Sequence, residues 1–131
     1  MAGTEKRLVF LDTHIVIWLY DALKDKFSRR AAKLINTSET FISPFVILET
    51  EYLYEAKKIK VKPSPVVASL NNSIGLRVSD TPLSKIIDVA VTLDWTRDPF
   101  DRLLVAEAYI HNAYFVSKDE DIRRHYPLVI W

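Results

Sequence analysis

Acidic residues recur where a short apolar segment of the sequence ends or where an apolar helix begins. Asp12 directly follows an apolar run, and Asp119 lies three residues beyond Val116 at the end of another. Asp101 falls in the first turn of the predicted helix that precedes that second run. Glu49 has apolar or aromatic neighbours at i−4, i−3, i+3 and i+4, so it lies on the packing face of its helix, where an unpaired charge is unfavourable.

Four carboxylates that meet near one point would repel one another, and their pKa values would rise unless cations neutralised them. Hard divalent ions with oxygen ligands, Mg²⁺ or Mn²⁺, fit such a set best. The sequence has no cysteine and only three histidines, and we interpret His14 as a packing or capping residue and not as a zinc ligand. An oxygen-lined metal site without a nucleotide-binding loop indicates phosphoester hydrolysis by a metal-activated water, with a nucleic-acid backbone as the natural substrate.

Each acidic residue also has a purely structural explanation, which the sequence leaves open. Asp12 can end a strand and cap the next helix, and Glu49 can form a buried salt bridge. The remaining acidic residues can be helix caps or first-turn residues that favour the helix dipole, namely Asp98, Asp101, Asp119, Glu120 and Asp121. The interpretation as a site therefore depends on a fold that brings the carboxylates together.

The composition of the chain limits which classes of protein it can belong to. With 131 residues, 49% hydrophobic and 27% charged, the chain is expected to form a single domain over residues 1–131. The net charge of +1 excludes a uniformly basic nucleic-acid-binding surface. The apolar stretch after Lys6 and Arg7 is interrupted at Asp12, and the next, residues 15–20, is too short for a signal peptide or a membrane span. Together with the lack of cysteine, this predicts a cytoplasmic protein.

Short apolar runs alternate with helical patterns along the whole chain. The runs predict strands over residues 8–11, 40–42, 76–78, 114–116 and 128–131. The helical patterns cover residues 14–20, 28–35, 44–59, 66–72, a helix opened by Pro82, 100–110 and 119–125, with a loop over 60–65. Such alternation predicts an α/β sandwich, in which a parallel sheet is covered by helices on both faces. Chemistry in such folds lies beyond the carboxyl ends of the strands.

Four segments in this order resemble the motifs of PIN-domain ribonucleases, and most closely the VapC-type toxins of bacterial and archaeal toxin–antitoxin pairs. They are Leu11-Asp12-Thr13-His14, Ile42-Ser43 leading to Glu49, Arg97-Asp98-Pro99-Phe100-Asp101-Arg102-Leu103-Leu104-Val105-Ala106, and Val116-Ser117-Lys118-Asp119-Glu120-Asp121-Ile122. The likeness covers nearly the whole chain, from about Leu8 to Trp131. Each segment is short, but four with the right order and spacing are specific.

The resemblance implies a five-stranded parallel sheet in the order 3-2-1-4-5 within a three-layer α/β/α sandwich. It implies an endoribonuclease that depends on Mg²⁺ or Mn²⁺, a homodimer, and inhibition by a cognate VapB-type antitoxin whose tail occupies the active site. The implied catalytic and metal-binding residues are Asp12, Glu49, Asp101 and Asp119. Residues in a supporting role are Thr13, Ser117, Asp98 and Asp121.

Two other classes of protein share parts of this pattern. A phosphohydrolase of the haloacid dehalogenase type needs Asp-x-Asp after its first strand, where this chain has Asp12-Thr13-His14. A phosphotransfer receiver needs a phosphoacceptor after its third strand, which could only be Asp80. A PIN-like binding module without activity is the remaining alternative, and the four retained carboxylates argue against it.

Basic and aromatic residues are weaker candidates for macromolecular contacts. The cations that could guide RNA are Arg29, Arg30, Lys57, Lys58, Lys60, Lys62 and Arg102. The aromatic residues that could contact a partner are Trp18, Tyr52 and Tyr54. For both groups the ordinary explanation, a solvated charged face or core packing, is the more common one.

Overall fold

A parallel sheet forms the centre of the molecule. The computed structural model describes residues 7–131, so Lys6 and the residues before it lie outside the described part. Within that part the strands are β1 (Leu8–Leu11), β2 (Glu39–Ile42), β3 (Arg77–Val78), β4 (Tyr114–Val116) and β5 (Val129–Ile130). They pair in parallel in the order β3-β2-β1-β4-β5, which confirms the predicted order.

Helices connect the strands and flank the sheet. They are α1 (Thr13–Tyr20), α2 (Arg29–Thr37), α3 (Pro44–Glu55), α4 (Pro63–Ile74), α5 (Leu83–Ala90), α6 (Pro99–Ile110) and α7 (Glu120–His125), with a 3₁₀ turn over Lys24–Lys26. The chain moves outward from β1 in both directions, and right-handed crossovers then place helices on both faces. The order reverses between β1 and β4, and ligands of open α/β sheets bind at such a switch point.

Side-chain caps fix where the helices begin. Ser43 accepts a hydrogen bond from the Phe45 N–H at 3.2 Å, and Pro44 opens α3, as the sequence predicts. Asp12, Asp98 and Asp119 cap α1, α6 and α7 in the same way. Three carboxylates are therefore held at helix starts, where the helix dipole favours negative charge.

The core lies on both sides of β1 and β4, the central strands. Val9, Phe10, Leu11, Phe115 and Val116 are all buried, as are the inward faces of the surrounding helices. All residues of α6 from Leu104 to Ala108 are buried, in agreement with the mostly apolar sequence of this stretch. No helix within residues 7–131 has the length and apolar character needed to cross a membrane.

Two helix boundaries differ from the sequence prediction. α3 ends at Glu55 and not at residue 59, because Ala56 caps it and Lys57 adopts a left-handed backbone with φ of 60°. α4 begins at Pro63, inside the predicted loop, since proline is accommodated in the first turn of a helix. It ends at Ile74 and is capped by Gly75, whose φ of 70° favours glycine.

The packing face of α5 is narrower than its sequence predicts. The sequence places Leu83, Ile86, Ile87, Ala90 and Val91 on one apolar face. Ile86 and Ala90 are buried, whereas Leu83, Ile87 and Val91 are 58%, 42% and 65% exposed. The buried pair packs toward the neighbouring elements, chiefly α6, and the rest of this apolar face lies outward.

A fully buried carboxylate, Glu107, links α6 to the segment after β3. Its Oε2 accepts hydrogen bonds from the Ser79 hydroxyl and, at 2.7 Å, from the Thr81 hydroxyl, while Oε1 has no hydrogen-bond partner in the described chain. The Thr81 hydroxyl also contacts His111 Nε2 at 2.7 Å. Sequence reasoning missed Glu107, because in the sequence it is a single charge within the apolar stretch 103–110 of α6.

Candidate active site

A cavity of about 400 Å³ opens at the carboxyl ends of the central strands. It is lined by five carboxylate side chains, those of Asp12, Glu49, Asp98, Asp101 and Asp119. The other lining residues are His14, Ile15, Trp18 and Lys118. The structure thus brings the four candidate catalytic residues into one cavity at the switch point of the sheet, and adds Asp98 to them.

Asp12 is held by both strands of the switch point. Its backbone N–H donates to the Val116 carbonyl at 3.1 Å, which continues the β1–β4 pairing by one residue. Its Oδ1 accepts from the Thr13 N–H at 2.8 Å, and its Oδ2 accepts from the buried Ser117 hydroxyl at 2.6 Å. These bonds fix the direction in which the carboxylate points.

Ser117 also orients the next acidic residue. Its hydroxyl oxygen accepts from the Asp119 N–H at 3.1 Å while donating to Asp12. Asp119 Oδ1 accepts from the Ile122 N–H at 3.0 Å, so the Asp119 side chain both caps α7 and lines the cavity. One buried hydroxyl therefore links the carboxylate of Asp12 to the backbone of Asp119.

Thr13 plays the corresponding part for Glu49. The Thr13 side chain is fully buried, and its hydroxyl donates to Glu49 Oε1 across a separation of 36 residues. This contact ties α3 to the start of α1. The buried salt bridge that sequence reasoning left open for Glu49 does not form with any basic residue in the described part of the chain.

Asp98 and Asp101 lie together at the start of α6. Asp98 Oδ1 accepts from the Phe100 N–H at 2.9 Å and from the Asp101 N–H at 3.2 Å, so Asp98 is the helix cap. Burial and the neighbouring Asp98 carboxylate raise the pKa of Asp101 to about 8. Smaller contributions of the same sign come from Asp12, Asp119 and Glu49.

Burial and mutual repulsion act on the other carboxylates as well. Burial raises the pKa of Asp12, against the opposing effect of the hydrogen bond from Ser117. Burial likewise raises the pKa of Glu49, with a further increase from Asp12 and an opposing hydrogen bond from Thr13. A cavity in which three carboxyl groups resist ionisation is one that a cation would stabilise.

The donor set fits a hard divalent cation. The ionisable groups that face the cavity are carboxylates with one lysine and one histidine, which suits Mg²⁺ or Mn²⁺ better than zinc. Within the described residues, no three acidic or histidine side chains are arranged to hold an ion by themselves. Mg²⁺ commonly binds through one or two carboxylates and keeps several waters, so this arrangement suits it.

Some candidate residues lie elsewhere. Asp121 is exposed, its carboxylate accepts a hydrogen bond from Arg124, and it does not line the cavity. Asp80, the phosphoacceptor that a receiver domain would need, is also exposed and outside the cavity. None of the basic residues considered for RNA binding lines the cavity within the described chain, and Arg102 donates to the Thr96 carbonyl at 2.7 Å.

Four lining residues were not selected from the sequence as site residues, namely His14, Ile15, Trp18 and Lys118. Lys118 lies directly before Asp119, and its position inside the last motif is the signal that could have revealed it. His14 and Trp18 are four residues apart on α1, with ring centroids 6.3 Å apart, so their spacing predicts a shared face. No local pattern indicates that this face borders the acidic residues.

The fold and the site together define a class of protein: a parallel α/β sheet with an acidic cavity at its switch point. The chain belongs to the PIN domain family, whose model matches residues 9–127.

Individual proteins share this similarity over almost the full chain. Ribonuclease VapC22 of Mycobacterium tuberculosis is 28% identical over 133 residues, which cover 94% of this chain and 98% of that protein. A chain in the crystal structure of VapBC2 from Rickettsia felis bound to a promoter DNA fragment has a TM-score of 0.63 at 20% identity, covering 94% of this chain and 96% of that one. A toxin–antitoxin complex from Klebsiella pneumoniae contains a chain with a TM-score of 0.65 at 18% identity and the same coverage.

Proposed function

We propose that this protein is a Mg²⁺- or Mn²⁺-dependent endoribonuclease and the toxin of a toxin–antitoxin pair. The observation that carries the proposal is the cavity in which Asp12, Glu49, Asp101 and Asp119 meet at the strand ends of a PIN domain. The similarity to a ribonuclease named VapC22 supports RNA as the substrate.

The proposed roles of the carboxylates are of two kinds, which are binding of the ion and positioning of the attacking water. Asp12, Asp101 and Asp119 would hold the metal ion, directly or through water, and Glu49 would orient or deprotonate the attacking water or hold a second ion. A bound ion would supply activation of the water and neutralisation of the charge that develops on the phosphate and the leaving oxygen. The pKa of Glu49 is raised toward neutral pH. This suits a general base, because such a base works best when its pKa lies near the working pH.

Hydroxyl groups keep these carboxylates in place. Thr13 holds Glu49, and Ser117 holds both Asp12 and the backbone of Asp119. Because water and not the ribose 2′-oxygen attacks, the products carry 5′-phosphate and 3′-hydroxyl ends.

The proposed partners are a VapB-type antitoxin and a second copy of the chain. The toxin–antitoxin complexes among the structural neighbours support the antitoxin. The exposed apolar stripe of Leu83, Ile87 and Val91 on α5 supports a homodimer, since contiguous exposed apolar surface marks interaction sites. We further propose that residues 1–131 act as one nuclease domain in the cytoplasm.

The test is cleavage of single-stranded and structured RNA by the purified protein in Mg²⁺, Mn²⁺ or EDTA. We expect Asp12→Asn and Glu49→Gln each to lower the cleavage rate by about 100-fold or more, the range for loss of a general base or an ion ligand. The matched control is Asp88→Asn, an exposed aspartate on α5 outside the cavity, which should cleave like the parent. Cleavage that persists in EDTA, or in both site variants, would contradict the proposal, and an inactive parent protein would favour a binding module.

A further inference from the structure

Three aromatic rings form a cluster beside the acidic cavity. The ring centroids of Trp18, Phe27 and Trp131 lie 5.8 to 6.3 Å apart, and each ring is partly exposed. The three residues come from α1, the loop before α2 and the segment after β5. We refer to them as the aromatic cluster.

The aromatic cluster is continuous with the candidate active site. Trp18 lines the acidic cavity and also a neighbouring depression of about 370 Å³, which Phe27 lines as well. Within the described chain, no carboxylate lines this depression, and its one charged residue is Lys24. The Trp18 ring is therefore shared between the acidic cavity and an adjoining depression that contains the Phe27 ring.

Two lysines add positive charge to the aromatic cluster. Lys26 Nζ lies 5.1 Å from the Trp18 ring centroid, and Lys118 Nζ lies 5.9 Å from that of Trp131. Lys118 also lines the acidic cavity. Neither ammonium forms a salt bridge with an acidic residue of the described chain, so both charges are available to an anion.

We propose that the aromatic cluster stacks unpaired bases of the RNA beside the scissile phosphate, while Lys26 and Lys118 contact the neighbouring phosphates. This inference rests on the proposed nuclease function and names how its substrate is held. Single-stranded RNA is bound by aromatic rings that stack on bases together with cations along the backbone. Among the described residues, the side chains of the cavity are mostly acidic, with Lys118 as its one lysine, so rings and ammonium groups beside it add binding energy that the cavity side chains do not supply.

The lysine–ring contacts are compatible with this role. An exposed cation–π contact is weaker than the stacking of a base on an aromatic ring. An incoming base can therefore displace the ammonium group from the ring, and the flexible lysine side chain then reaches the phosphate. The combination of ring and ammonium matches a nucleotide better than it matches an apolar peptide helix.

The first test measures binding of a fluorescein-labelled, 12-nucleotide single-stranded RNA in Mg²⁺. Asp12→Asn is the background, so that the RNA stays intact. We expect Trp131→Ala to weaken binding about tenfold, within the range for one stacked base, and Trp131→Phe to retain most of the affinity. Lys118→Gln should reduce the salt dependence of binding by about one phosphate contact. The control is Trp95→Phe, because Trp95 stacks on His125 and is not part of the aromatic cluster.

A second test does not depend on how well Trp131→Ala folds. The sequence has three tryptophans, so Trp95→Phe leaves Trp18 and Trp131 as the emitting residues. We expect the RNA to quench this emission and an oligonucleotide with abasic positions beside the cleavage site to quench it much less. Equal quenching by both oligonucleotides overturns the inference.

The outcomes separate the two proposals. RNA cleavage by the parent protein together with unchanged RNA affinity in Trp131→Ala overturns the stacking role and leaves the nuclease proposal standing. Lack of cleavage by the parent protein overturns the nuclease function regardless of the tryptophan variants. If Trp131→Ala instead loses binding of the antitoxin's C-terminal peptide while its RNA affinity is unchanged, the aromatic cluster serves a protein partner and the inference is wrong.

Discussion

At the start of α6, two neighbouring carboxylates of the cavity repel each other. Asp98 is committed to capping the helix, and its charge acts on Asp101 three residues further on. The pKa of Asp101 rises from 3.8 to about 8, so the metal-free folded chain holds this proton more tightly than the unfolded chain. Between these two pH values, folding is coupled to proton uptake and becomes less favourable as the pH increases.

We therefore predict that the metal-free protein loses stability as the pH rises from about 5 to 8, and that Asp101→Asn loses less. Asparagine keeps the size of the side chain and removes the charge, so the variant should be about 1–3 kcal/mol more stable than the parent at pH 8. This free energy is smaller than the full pKa shift of Asp101 would give, because solvent screens a partly exposed carboxyl group. Urea unfolding in EDTA at several pH values measures it, with Asp88→Asn as the control; parallel pH profiles for the parent protein and Asp101→Asn would refute it.

At the level of elements, α6 carries polar contacts at both ends. Its start bears Asp98 and Asp101, and the buried Glu107 nearly two turns later bonds to the hydroxyl groups that follow β3. Contacts with α5 and α3 hold the helix between these ends. The position of Asp101 in the cavity thus depends on how α6 is anchored at Glu107.

We predict that Glu107→Ala lowers the free energy of unfolding by about 2–4 kcal/mol. The change leaves a void and removes the acceptor for two hydroxyl groups, Ser79 and Thr81. Chemical denaturation measures the loss. The control is Glu55→Ala at the exposed end of α3, for which we expect a change within about 0.5 kcal/mol. Similar losses in the two variants would show that the buried contacts contribute little.

Charge is distributed unevenly over the molecule, although its net charge is small. The formal net charge is +1, yet five carboxylates face one cavity. When no cation is present, the repulsion among these carboxylates makes the folded state less stable. An ion bound in this cavity would therefore couple its binding to folding through the same residues.

We predict that Mg²⁺ stabilises the folded protein against heat, by about 2.7 kcal/mol at an ion concentration 100 times the dissociation constant. Asp12→Asn should show little of this increase in Tm, whereas Asp88→Asn, which lies outside the cavity, should retain it. Calorimetry with MgCl₂ and with EDTA at constant ionic strength makes the comparison. An equal shift in all three proteins would indicate a general salt effect.

The sequence alone predicts most of the sheet and the positions of the site carboxylates. Short apolar runs mark the strands, and Ser43-Pro44 and Asp98-Pro99 mark helix starts, because these signals act between residues close in the chain. Parallel strands end at a common edge, so residues that follow them come together once the order is known. Its errors of secondary structure concern boundaries, such as the start of α4 at Pro63, where local signals compete.

The tertiary structure alone decided which side chains share a surface with partners distant in sequence. Periodicity shows that α5 is amphipathic, but only packing reveals that Ile86 and Ala90 are covered while Leu83 is not. The contact between Trp18 and Trp131 joins residues from opposite ends of the described chain. Local propensity acts over one or two turns, whereas the covering of a face depends on all the elements that pack against it, and so these contacts follow from the assembled fold.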